Sequence, residues 1–466
     1  MTVNARARAA RLGVRNPLLW PSRQPRPATP AGGDDRSAPV RTRSGIVGTA
    51  LFALSLALYL IVFQVFPKHP WSMLDLHVYL WGGMRIRHML DPYVHAYPPH
   101  HLRFTYTPMA AGVFALLAAV DLPVLKVLVV TASIASLVGV LWLTWGALGR
   151  ERSGARLGAT LTMAALALWL EPVRQTLSYG QVNLVLMLVV MADLCLPDTR
   201  WWKGVGVGLA AGFKLTPLIF IPYLLLTRRF RAAAVATATF AVTVLGSFVL
   251  LPKAAHHYWL EGIFLNPNRL GNVHYVGNQS LYGAVLRLIG SAAAARPYQL
   301  LAEVLAGAAG LALAVWASRR GQEMVGILVC ALTGLLVSPV SWSHHWVWVA
   351  PVLVVLVDFA SRRSPSLALS AGLRRASWLG AVAVTAVFSG VLWAVPSTGR
   401  HPPVQGYAMS GPQQLLGDLY VLVGLAGLGV IAALLVAATR TDQHLAAITA
   451  VRDGEEPLEP GLAAQP

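Results

Sequence analysis

Long apolar runs separated by short polar connectors dominate the chain. The first, residues 45–66, carries no charge. As a helix it is long enough to span roughly 30 Å of hydrocarbon. Further runs follow at 108–148, 157–171, 180–196, 204–227, 232–251, 298–317, 324–341, 344–360, 376–395 and 415–438. Two are interrupted, at Asp121-Leu-Pro123 and at Lys214-Leu-Thr-Pro217. The pattern predicts an all-α polytopic membrane protein with about twelve transmembrane segments. Between the first two runs, residues 67–107 form a polar, aromatic and charged loop. Within it, residues 76–90 predict a short helix lying along the membrane interface.

The connectors divide into two kinds. Gly149-Arg-Glu-Arg152, Arg200-Trp-Trp-Lys203, Arg228-Arg-Phe-Arg231, Ser318-Arg-Arg320, Ser361-Arg-Arg363, Arg374-Arg375 and Arg440 are basic. The loop 67–107, residues 171–181, the break at Lys214, residues 256–279, 338–345 and 396–413 are rich in Gln, Asn, His, Tyr or Trp. Placing the basic set in the cytoplasm puts the polar set outside. That arrangement requires 204–227 to be two short segments meeting near the outer side. It also requires 108–148 to make one net crossing, and broken helices of this kind are tolerated where they line a wet cavity.

Composition agrees with this reading. The chain is 56% hydrophobic and 12% charged, with mean hydropathy +0.58 and net charge +18. The positive charge lies in the connectors and in residues 1–43, which hold nine Arg and two Asp. Such a distribution points to the lipid bilayer as partner and away from nucleic acid. Residues 1–43 and 441–466 are expected as disordered cytoplasmic tails flanking a membrane domain at 44–440. Cys195 and Cys330 sit in apolar runs without metal-ligand spacing and read as buried small hydrophobes.

The chemistry-bearing residues fall in the polar connectors. Asp75 shares its loop with His77, Tyr79, Tyr93 and Tyr97. On residue type alone it reads first as a solvated loop acid or helix cap. As a partly buried carboxylate it reads as a general base. Lys214 interrupts an apolar stretch, where a charge costs about 2.5 to 3.5 kcal/mol on insertion scales, so it is a candidate anion ligand. His344 and His345 sit among Trp residues at a helix end, half interfacial belt and half functional pair. Glu171, Gln181, Asn183, Asn278 and Gln279 read either as helix caps or as ligands for sugar hydroxyls. There is no Walker A loop and no Rossmann fingerprint, so any activated donor is expected to arrive through the lipid.

Six stretches occur in order: Asp75-Leu-His-Val-Tyr79, Phe104-Thr-Tyr-Thr-Pro108, Glu171-Pro-Val-Arg-Gln-Thr-Leu-Ser-Tyr-Gly-Gln-Val-Asn183, Gly212-Phe-Lys-Leu-Thr-Pro217, Asn278-Gln-Ser280 and Ser338-Pro-Val-Ser-Trp-Ser-His-His-Trp-Val-Trp348. Together, over about residues 45–440, they resemble glycosyltransferase family 87, polyprenyl-phosphate-mannose-dependent α-(1→2)-mannosyltransferases. One departure is Thr107, where the family usually has Pro. The resemblance implies a GT-C fold in the cell membrane with its site facing the periplasm. It implies a polyprenyl-phosphate mannose donor, a mannosylated phosphatidylinositol-type lipid acceptor, and no metal or other cofactor. By position Asp75 matches the family's proposed base, and the His344–His345 pair matches a site motif. His344 and Lys214 are then the expected ligands of the leaving phosphate. Tyr79, Glu171, Gln181, Asn183, Asn278, Gln279 and His345 complete the expected substrate-binding set. Other readings are the same transfer with another pentose or hexose donor, or a lipid-linked sugar flippase or transporter, since broken helices and a mid-membrane Lys also suit transport.

Overall fold

The computed structural model describes residues 38–65, 72–266, 269, 271–361, 367–394, 409 and 411–452. Helices make the whole framework: among the described residues there is no strand, only isolated bridges at Tyr97–Leu102 and Asn278–Trp342. In chain order they are α1 (Ala38–Val65), α2 (Leu74–Arg87), α3 (Pro108–Leu117), α4 (Leu122–Ala147), α5 (Gly154–Ala167), α6 (Glu171–Tyr179), α7 (Asn183–Leu194), α8 (Val205–Phe213), α9 (Phe220–Leu226), α10 (Phe230–Leu250) and α11 (Pro252–Ala255). Then come α12 (Leu281–Ile289), α13 (Ala292–Arg319), α14 (Glu323–Val337), α15 (Val349–Ser361), α16 (Leu367–Val387), α17 (Gly411–Gly417) and α18 (Leu419–Arg452). Short 3-10 turns at Thr216–Ile219 and Ser343–Trp348 lead into α9 and α15.

Six helical stretches are long and apolar enough to cross a membrane: Arg43–Phe63, Leu122–Ala147, Phe230–Leu250, Ala292–Arg319, Ser343–Ser361 and Leu419–Thr441. The pair α6 and α7, bent by 115°, makes a seventh if it counts as one span. Pro108–Leu117, Thr216–Leu226 and Glu323–Val337 are apolar but shorter. Several of the expected full runs are therefore short helices. The 10 residues of α3 reach only about 15 Å, whereas the 26 of α4 reach about 39 Å. This suits one net crossing for 108–148.

The expected tail boundaries move. α1 starts at Ala38, inside the stretch read as a tail, and α18 continues past 440 to Arg452. The rest of both tails, and most of connector 396–413, lie outside the described residues.

The two kinds of connector gather at opposite helix ends. Arg150 bonds Asp358 at 2.5 Å, Lys203 bonds Asp198 at 2.8 Å, and Arg229 reaches both Asp198 and Glu323. From Arg229, α10 runs 21 residues and delivers Tyr258 to the polar end. From Glu323, α14 runs to Ser338 at that same polar end.

Segment 204–227 breaks at Lys214, as its sequence predicts. α8 packs against α10 through Gly204, Gly208 and Gly212. A Cβ on these would meet Ala232 O at 2.2 Å, Ala236 O at 2.5 Å and Thr243 Oγ1 at 2.3 Å. Lys214 then turns extended, at φ −144° and ψ 129°, before the 3-10 turn and α9 lead back toward Arg229.

Candidate functional site

The first turn of α2 carries Asp75. The residues Leu76, Val78, Tyr79, Leu80, Gly82 and Gly83 are buried, and the helix packs on α3 and α6, so protein holds the element expected to lie along the interface. At the end of α6, Gly180 takes the left-handed conformation at φ +66°, with Leu76 Cβ only 2.8 Å from where its own Cβ would stand. Only glycine meets both demands without strain. The turn swings Gln181 toward α2, and its Nε2 donates to Asp75 Oδ2 at 2.8 Å. Gln181 Oε1 accepts from Tyr106 Oη at 3.0 Å, and Tyr106 Oη accepts from Tyr79 Oη at 2.9 Å. Burial pushes both phenols up, so they stay protonated donors. A hydrogen-bonded row thus fixes the orientation of Asp75. The carboxylate is half-buried, and burial pushes its pKa up to about 6, against the lowering effects of the Gln181 bond and the Lys214 charge.

Across the cavity, Lys214 Nζ donates to Asn183 Oδ1 at 2.9 Å and lies 3.1 Å from His345 Nε2. It also stands 5.5 Å from the centre of the Tyr106 ring, a cation–π distance. Thr107, at the departure from the family pattern, caps α3 by accepting from Ala110 N at 3.2 Å. Its hydroxyl donates to Gly212 O at 2.5 Å, which ties the Asp75 loop to the end of α8, where Lys214 follows.

His344 and His345 point apart, with ring planes at 87° and centres 4.8 Å apart. His344 Nε2 is 3.3 Å from Gln181 Nε2, on the Asp75 side. The imidazole beside Lys214 is that of His345. His344, expected with Lys214 as a ligand of the leaving phosphate, lines the same cavity but does not contact the lysine, since adjacent residues of the 3-10 turn diverge.

Asp75, Tyr79, Gln181, Lys214, His344 and His345 all line one cavity of about 820 Å³. That lies within the usual range of roughly 300–1,000 Å³ for small-molecule sites. Tyr106, Tyr179, Trp342, Arg103 and Arg269 line it too and were missed in the sequence. Tyr179 had a signal, since its ring packs at 5.4 Å on His344 from the motif that carries Gln181. The two arginines had none beyond lying in polar loops.

Four expected substrate ligands stand behind the cavity wall. Glu171 is fully buried and accepts from Ser343 Oγ (2.7 Å), Trp393 Nε1 (2.9 Å) and Tyr420 Oη (2.9 Å). Asn278 accepts from Ser341 N at 3.0 Å and donates to Val273 O at 3.1 Å. Gln279 Nε2 donates to Val276 O and Gly417 O, both at 2.6 Å, and Oε1 accepts from Tyr420 N at 3.0 Å. These three have their hydrogen-bonding capacity taken up by protein and line no part of the cavity. They brace the 338–345 loop, with Arg287 holding Asn278 O from the other side at 3.0 Å. Asn183 spans Lys214 and the His344 carbonyl, to which its Nδ2 donates at 2.9 Å, so it positions both. Among the described residues no three His, Cys, Asp or Glu side chains cluster as a metal site requires.

The profile of glycosyltransferase family 87 matches residues 104–339. A polyprenol-phosphate-mannose-dependent alpha-(1-2)-phosphatidylinositol pentamannoside mannosyltransferase of Mycobacterium tuberculosis is 34% identical over 81% of this chain and 87% of its own length. The Mycolicibacterium smegmatis protein of the same name is 34% identical over 81% and 91%. A Mycolicibacterium smegmatis alpha-(1-2)-phosphatidylinositol mannoside mannosyltransferase is 34% identical over 83% and 88%. No solved structure matches the chain.

Proposed function

Since this chain belongs to glycosyltransferase family 87, we propose that it transfers mannose, with inversion, from polyprenyl-phosphate mannose to a mannosylated phosphatidylinositol-type lipid, forming an α-(1→2) bond. The observation that carries this reading is the pairing of a held carboxylate with a lysine and its imidazole neighbour in one cavity. Asp75, oriented by Gln181, lines one part of it, and Lys214 with His345 lines another.

The chemistry needs one base and one anion site. Asp75 takes the proton from the acceptor 2-hydroxyl. The oxygen attacks the anomeric carbon as the carbon–oxygen bond to the phosphate breaks on the opposite face. A β-linked donor gives an α product, and no covalent enzyme intermediate is required. Negative charge collects on the leaving polyprenyl phosphate, where Lys214 and His345 are placed to bind it. His344 and Tyr179 form a wall beside Asp75 suited to a sugar ring. The proposal includes a GT-C fold of about twelve membrane segments in the cell membrane, with the cavity facing the periplasm. The gathering of basic connectors at the end away from the cavity supports that orientation.

The test incubates purified protein with labelled polyprenyl-phosphate mannose and a phosphatidylinositol mannoside in detergent. A new lipid product whose label is released by an α-(1→2)-specific mannosidase is expected. Movement of label across vesicles with no new glycosidic bond would replace the transferase reading with transport.

A further inference from the structure

Arg103 and Arg269 belong to neither the base nor the lysine–histidine set, yet both line the same cavity. Arg103 follows the Tyr97–Leu102 bridge, is exposed, and donates no hydrogen bond among the described residues. Arg269 is half-buried. Its Nη2 donates to Tyr93 O at 2.5 Å, while its Nε is buried and has no partner. Asp91, the carboxylate whose charge acts on Arg269, also bonds His257 Nδ1 at 2.9 Å and Tyr93 N at 2.7 Å. Burial, and then the neighbouring Arg103, pull the Arg269 pKa below the usual arginine value. Two guanidiniums lining one cavity, one with no hydrogen bond of its own among the described residues and the other with the single carboxylate of Asp91 acting on it, are an arrangement that an anion completes.

The reaction proposed above brings two lipids to one cavity, and each carries one phosphodiester. The cavity offers two separate sets of basic side chains. Lys214 and His345 are placed beside the reacting centre, where the donor phosphate must leave. Arg103, at the exposed outer-loop side, is placed for a charge remote from the reacting sugar. We propose that Arg103 and Arg269 form a second anion subsite, which takes the phosphodiester of the acceptor glycolipid. This rests on the transferase reading for its source of phosphate. The recognition itself is of a phosphodiester by a guanidinium pair, with the planar forks bidentate where geometry allows.

Binding tests it without requiring turnover. Purified protein in detergent is titrated with a fluorescent phosphatidylinositol mannoside and with a mannosyl diacylglycerol of the same chains that lacks phosphate. Wild type is expected to favour the charged lipid, and Arg103→Gln to lower that preference by roughly tenfold, the scale of losing one charge-assisted contact. Arg103→Lys is expected to keep part of it. Arg103 makes no internal bond, so its loss should leave thermal stability unaltered. Arg269→Gln, which also releases Tyr93 O, serves as the second variant. An unchanged ratio between the two lipids in Arg103→Gln and Arg269→Gln would overturn the proposal. So would a weakened affinity for mannose-free polyprenyl phosphate with the acceptor ratio intact, which would move the pair to the donor. Should the lipid preference shift as expected in a protein that makes no mannosidic bond, the subsite stands and the transferase reading falls.

Discussion

Burial that lifts the Asp75 pKa to about 6 suits the residue to the proposed role of base and also costs stability. Above pH 6 the folded protein holds the carboxylate ionised in a site where burial makes that charge costlier than in the unfolded chain. Between its ordinary value of 3.8 and about 6, the folded state binds the proton more tightly than the unfolded state, so stability falls as pH rises through that window. Asp75→Asn removes the effect. The variant should therefore melt at a higher temperature than wild type at pH 7.5, with the gap closing near pH 4, as differential scanning fluorimetry would read. Its transfer rate should fall by roughly 10²–10⁴-fold, the usual worth of a general base. Wild-type kcat/KM should climb with pH through about 6 and then level. An acid limb near 4 would show that Asp75 is not the titrating base. At this scale the sequence was readable where a charge stood out against hydrocarbon, as Asp75 and Lys214 do. It left Glu171, Asn278 and Gln279 open between caps and sugar ligands, and the structure engages all three with protein groups. The side chains suited to sugar hydroxyls are the same ones that close off buried backbone groups, and residue type cannot separate the two uses. Arg103 and Arg269 were invisible because cationic residues are common in polar loops.

Between residue and molecule, a few turns decide whether the site exists. Gly180 is one. Alanine there would sit at φ +66° with its Cβ against Leu76, so Gly180→Ala should destabilise the protein by about 1–3 kcal/mol. It should also lower kcat by loosening the Gln181–Asp75 bond, seen as a several-fold loss with folded protein. The 338–345 loop is another. Asn278→Ala strips Ser341 N of its acceptor and Val273 O of a donor, a cost of about 1–3 kcal/mol for buried groups left unsatisfied. If Asn278 instead bound sugar, the variant would keep its melting temperature and raise the KM for one substrate. The broken element at Lys214 was foreseeable, since a lysine in the run Lys214-Leu-Thr-Pro217 interrupts an apolar helix with a charge and a proline. The shortness of α3, α6 and α14 was not. Apolar runs measure hydrophobic length, and a helix buried in protein beside a wet cavity is as apolar as one that crosses the bilayer.

Across the whole molecule, the separation of basic ends from the cavity end makes orientation a measurable property. α10 alone, 21 residues or about 31 Å, connects the Arg229–Glu323 cluster with the cavity residue Tyr258. On the proposed function the donor would approach sideways through the membrane, which would put Asp75 at one face, near headgroup depth. His101 is exposed on the loop that bears Arg103, and Trp201 is 76% exposed in a basic connector, so the two mark opposite faces. Single cysteines at these positions, His101→Cys and Trp201→Cys, can be read in a Cys195→Ser background, because Cys330 is fully buried. A membrane-impermeant maleimide added to intact cells should label the His101→Cys protein. The Trp201→Cys protein should label only after permeabilisation. The reverse pattern would place the cavity in the cytoplasm. Lys214 and Asp75 would then face nucleotide-linked sugars, and the absence of a nucleotide-binding fingerprint in the sequence would become the fact to explain.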